Sequence, residues 1–140
     1  RGDVCKRQSP ECAVGLLPGG GSSEPEPDPN AQAAIFVAKG TARLVIGEQT
    51  HFLRAGSFAY LPASTTWHFW NDGDDICGFH WIRKRYVDGA GLTRPEPFIT
   101  HEDDLPANAM PGAEDTWTTK RFFDSLDLAY DFHITIVTFQ

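Results

Sequence analysis

The stretch GSFAYLPASTTWHFWN, Gly56 to Asn71, decides how this chain is read. Gly56 suits a turn between strands, and FAYL is a short strand signal. Pro62 ends that strand at a point where no amide donor is needed, and WHFW is a second strand closed by Asn71-Asp72-Gly73. Outward from this window the same texture recurs about every eight to ten positions. AAIFVA precedes Lys39-Gly40, ARLVI precedes Gly47-Glu48, THFL precedes Arg54-Ala55-Gly56, and ICGFHWI runs into Arg83. Short strands punctuated by Gly and Asn predict an antiparallel sandwich or barrel. No window holds a sustained apolar period of 3.6 residues, which excludes a helical bundle.

The chain has 140 residues, enough for one ordinary domain with a real core. Its 41% hydrophobic and 22% charged residues are those of a globular protein rather than a disordered one. Twelve Lys and Arg against nineteen Asp and Glu give a net charge of −7, which argues against nucleic-acid and anionic-membrane partners. The longest apolar run, Ala33 to Ala38, is far short of the ~20 residues that cross a bilayer. RGDVCKRQSPECAVGL at the start has no apolar signal region, although both ends read as cut: Arg1 stands where a methionine is expected, and Gln140 follows a strand-like stretch directly. Cys5, Cys12 and Cys77 make an odd, irregular set, which predicts reduced thiols in a cytoplasmic protein rather than a disulfide framework or zinc knuckle. The opening Arg1-Gly2-Asp3 is too short to carry an adhesion reading.

Four segments follow from composition. Residues 1–12 are an N-terminal segment, 13–87 the barrel, 88–116 a surface linker, and 117–140 a connection leading into further strand. Within the barrel, GGGSSEPEPDPN is an exposed loop. Within the linker, HEDDLPANAMPGAED is polar and acidic, with room for one helical turn near Asp103–Leu105. At the end, DFHITIVTF alternates with Phe132, Ile134 and Ile136 on one side, as a half-buried strand does.

With Gly56, Pro62 and Asn71 in place, residues 18–71 resemble the cupin superfamily, whose fold is a jelly-roll β-barrel. That family's second motif is G-x5-P-x-G-x2-H-x3-N. Its first is His-x-His, a glutamate three or four residues later and a glycine seven beyond that, here Gly40. The metal ligands do not follow the spacing. The glutamate place is Ala33, the two histidine places are Glu26 and Asp28 (Pro27 and Pro29 under the shorter spacing), and the second-motif histidine is Trp67. His68 is one residue off, and such an offset turns a strand side chain to the other face. The expectation is a cupin without metal, its interior filled by Trp67 and Phe69. A site of Glu26, Asp28 and His68 for a hard divalent cation is the alternative, weakened by the proline-rich loop and the missing fourth ligand.

Other features are less informative. Arg83-Lys84-Arg85 could hold a carboxylate, but a basic triplet in an acidic protein is expected to pair with the chain's own Asp and Glu. His80 and His133 lie in strands as ordinary imidazoles, and His51 and His101 have no partner at a recognisable spacing. No nucleophile elbow, HExxH, P-loop or GxGxxG pattern occurs.

WIRKRYV and KRFFDSLDLAYDFHITIVTF together resemble the bicupin ureidoglycine aminohydrolases of allantoin breakdown. The resemblance implies that this chain is the first half of a bicupin, with DFHITIVTF opening a second cupin. It also implies manganese-dependent hydrolysis of (S)-ureidoglycine to ureidoglycolate and ammonia, a cytoplasmic setting and a homo-oligomer. Every catalytic residue of that family would lie beyond Gln140, so no catalytic residue, metal ligand or cofactor is assigned to this chain. The competing reading is a non-enzymatic cupin module, in which Trp67 and Phe69 line a pocket for an apolar or ring-shaped small ligand, or the barrel serves as an oligomerisation surface.

Overall fold

A computed structural model describes residues 14–22, 25–109 and 111–139. A short strand that the sequence did not announce, β1 (Val14–Leu16), precedes the expected ones: β2 (Ala31–Lys39), β3 (Thr41–Ile46), β4 (Gln49–Arg54), β5 (Ser57–Leu61), β6 (Trp67–Trp70) and β7 (Cys77–Arg85). They are followed by β8 (Phe98–His101), β9 (Asn108–Ala109), β10 (Trp117–Arg121) and β11 (Thr135–Phe139). A five-stranded sheet in the order β1-β7-β2-β5-β8 faces a three-stranded sheet β4-β3-β6, and β11-β10-β9 form a third. All recorded strand pairings are antiparallel. A 3-10 turn, Glu102–Asp104, sits where the sequence left room for one.

The period of two along each strand sorts side chains between two cores. Ala33, Ile35 and Val37 of β2 point into the barrel with Leu44, Ala59, Leu61, Trp67 and Phe79. Ala34 and Phe36 point the other way, with Phe58 and Tyr60 of β5. That outer face is not left to solvent. Phe122, Phe123, Tyr130, Phe132, Ile134 and Ile136 cover it, with the Phe58 and Phe122 rings stacked at 4.1 Å. Polar groups fix the layer as well: Tyr60 donates to Gln32 at 2.9 Å, Gln32 donates to Asp131, and Lys84 pairs with Asp131 at 2.6 Å.

The stretch 88–116, expected to cross the surface as a linker, does more than connect. Its Phe98–His101 becomes β8 and pairs with β5 from Tyr60↔Phe98 to Ser57↔His101. The five-stranded sheet therefore extends past residue 87. The physical reason is β5, which is buried along its whole length and whose free edge would otherwise leave amides unpaired. The C-terminal alternation also begins later than a strand over DFHITIVTF implies: β11 starts at Thr135, while Phe132 and Ile134 pack on the barrel from irregular backbone.

The deciding window is held by backbone chemistry. Asn71 is fully buried, and its side chain donates to Leu16 O at 2.8 Å and Asp75 O at 2.7 Å while accepting from Gly73 N–H at 3.0 Å. The second glycine of the family motif is here Ser64, which adopts φ 66°. Gly56 has φ 90°, and a Cβ there would lie 2.6 Å from the His101 ring. Gly56→Ala should therefore cost about 2–4 kcal/mol, combining left-handed strain with overpacking. Urea denaturation measures it, and a loss under about 1 kcal/mol would show that the His101 contact is not a constraint.

Candidate functional site

The barrel end near Ala33 is where the family spacing places a metal. Ala33 is 2% exposed and lies in register with Arg83 on one side and Leu61 on the other, so all three share the interior face. Arg83 reaches Glu26, donating from Nε to Oε2 at 2.7 Å and from Nη2 to Oε1. Oε1 also accepts the Asp28 N–H at 3.0 Å. Asp28 is occupied locally, its Oδ1 accepting from Asn30 N–H at 2.8 Å in an Asx turn. Trp67 is buried, its ring edge-on to Trp81 with centroids 6.2 Å apart. Phe69 is buried against Phe79 at 4.8 Å.

These residues do not fit a metal ion. Ala33 and Trp67 have no donor atom to offer, and the one carboxylate aimed at the interior is neutralised by a guanidinium in a two-point pair. His68 lies on the face of β6 opposite Trp67, in register with Val45, and cannot join Glu26. Among the described residues no three His, Cys, Asp or Glu side chains converge. The alternative site of Glu26, Asp28 and His68 is therefore not assembled. Trp67 and Phe69 are buried with Trp81 and Phe79 packed against them, and neither lines the recess at the other end of the barrel.

The Arg83 hydrogen bond, acting against burial, holds the Glu26 carboxyl below the usual carboxylate range. The stabilisation is complete above the ordinary glutamate pKa and is lost as pH falls through the lower folded value. Arg83→Ala should cost about 2 kcal/mol at pH 7 by stranding a carboxylate whose side chain is 7% exposed. The gap to the parent should shrink as the pH falls below the ordinary glutamate range toward the lowered value of the folded state. Urea melts at pH 7 and pH 3.5 measure it, and an equal gap at both values would mean that the pair carries no charge-dependent stability.

The basic triplet divides by strand alternation: Arg83 faces inward to Glu26, and Lys84 faces outward to Asp131. Arg85 is exposed. His80 stacks on Phe36, and His133 is exposed beside Phe123. His101, which sequence spacing leaves without a partner, is buried. Its Nε2 donates to Ala55 O at 2.8 Å and its Nδ1 accepts from Asp103 N–H at 3.1 Å. Both partners are backbone groups, which no side-chain motif would reveal. Cys77 is a buried free thiol whose pKa burial pushes up, and Cys5 and Cys12 lie outside the described residues. No helix among the described residues is long and apolar enough to cross a membrane.

Two facing antiparallel sheets closed around an aliphatic and aromatic interior define a cupin-type β-barrel. The chain belongs to the cupin domain family, whose family model matches residues 13–83. It is similar to the crystal structure of a glyoxylate-induced protein from Pseudomonas aeruginosa, with 40% identity and a TM-score of 0.86, over 91% of this chain and 47% of that one. It also shares its fold with protein Ylba from E. coli, at 18% identity and a TM-score of 0.76, over 88% of this chain and 47% of that one. The chain thus spans about half the length of both structures. No curated protein matches the sequence.

Proposed function

We propose that this chain is the metal-free cupin portion of a ureidoglycine aminohydrolase-like bicupin. The observation that carries the reading is the 40% identity, over nearly the whole chain, to a glyoxylate-induced protein about twice as long. The family spacing supports it: the ligand places of a cupin fall here at Glu26, Asp28, Ala33 and Trp67, of which Ala33 and Trp67 are buried in the barrel core. In this reading the reaction is hydrolysis of (S)-ureidoglycine. The C–N bond to the amino group breaks, that nitrogen leaves as ammonia with a proton from water, and the hydroxyl of that water bonds to the same carbon to give ureidoglycolate. Manganese in the second cupin would hold and polarise the substrate. This chain's part is structural: its β10–β11 strands lead into that second barrel, in a cytoplasmic homo-oligomer.

The test is ammonia release from (S)-ureidoglycine with Mn²⁺, comparing this 140-residue chain with a longer chain in which a second cupin follows it. The expected result is activity in the longer chain and none in the shorter. Ammonia release by this chain alone would overturn the placement of the active site. A gene that stops at Gln140 would overturn the bicupin reading itself.

A further inference from the structure

β4 and β8 are the outermost strands of the two facing sheets, and no ladder joins them. Both run toward the barrel end opposite Glu26 and Arg83. Between their final residues opens a recess of about 670 Å³, within the range of small-molecule sites. Its floor is apolar, formed by Ala42 and Leu53 of the interior core with Ile99 packed against them. Phe52, 81% exposed, stands at its rim.

Of the charged side chains that line the recess, Arg43 and Asp72 pair with each other. Arg54, at the end of β4, forms no ion pair among the described residues, although the protein carries a surplus of acid. Asp104, in the turn that follows β8, forms none either. Both line the recess, Arg54 from the end of β4 and Asp104 from the turn after β8, so unpaired charges of opposite sign border an apolar floor. A carboxylate alone would satisfy Arg54 and be repelled by Asp104, and an amine alone would do the reverse. We infer that this end of the barrel binds a small zwitterion, a free amino acid with an apolar side chain. Its carboxylate meets Arg54, its ammonium meets Asp104, and its side chain lies on Leu53 and Ile99. The inference is independent of the proposed hydrolase reading, because it uses neither the second cupin nor the metal.

Calorimetric titration of the chain with L-leucine tests it, alongside 4-methylpentanoate, which lacks the amine, and 3-methylbutylamine, which lacks the carboxylate. Saturable leucine binding is expected, with each half-ligand weaker by about tenfold or more. Arg54→Ala and Asp104→Ala should each weaken leucine binding by about tenfold while leaving the thermal melt in place, since both side chains are exposed. Arg94→Ala, away from the recess, should leave binding unchanged. No saturable leucine binding at millimolar concentration would overturn the inference. So would binding that survives both recess substitutions, or equal binding of 4-methylpentanoate.

Discussion

Phe58→Ala is expected to lower the unfolding free energy by about 3–5 kcal/mol, the usual cost of emptying an enclosed aromatic site. Phe58 is fully buried on the outer face of the five-stranded sheet. It stacks on Phe122, meets Phe123 edge-on at 5.5 Å and lies 5.9 Å from Phe98. Its loss therefore removes a ring from the barrel and the surface on which the C-terminal segment rests. A local readout separates this from general destabilisation: amide hydrogen exchange in β10 and β11 should accelerate more than in β3 and β4. Uniform acceleration would mean that the two layers unfold as one unit and that Phe58 is not the link between them.

Trp67→Ala is expected to cost a similar amount, about 3–5 kcal/mol, from the opposite face of the fold. Trp67 is 8% exposed, in register with Ile46 across β3 and edge-on to Trp81. A functional cupin would present an imidazole at this place, so a tryptophan here exchanges a ligand for apolar burial. Thermal or urea denaturation measures the loss. A change under about 1 kcal/mol would show that the ring is not a structural plug.

The contrast between what the sequence discloses and what it hides has a physical basis. Gly56, Pro62 and Asn71 are legible because each answers a local backbone demand: a positive φ, a strand end, a turn with three orphan groups. Strand alternation likewise places Trp67 and Phe69 on one face and His68 on the other. The Glu26–Arg83 pair joins residues 57 apart, and only the β2–β7 register brings them together. The same holds for Asp131, whose partners Gln32 and Lys84 come from two barrel strands. Burial pushes the Asp131 carboxyl up, and hydrogen bonds from Lys84, Gln32 and Val87 N–H outweigh it, leaving the group below its ordinary value. The strand β8 inside the expected surface connection went unread for a related reason. Four residues between prolines and acids resemble a connection until β5 supplies a ladder for them. The recess between β4 and β8 is made by two strand ends distant in sequence, so no motif announces it.

On the family spacing, the Glu26–Arg83 ion pair and Trp67 stand where a cupin would hold its metal. Metal analysis of the purified chain after incubation with Mn²⁺ and desalting tests it most directly, with Glu26→Ala measured in parallel. The account predicts far less than one equivalent in both proteins, because Glu26 is committed to Arg83 and neither Ala33 nor Trp67 can coordinate. One equivalent of manganese retained by the parent and lost in Glu26→Ala would contradict it.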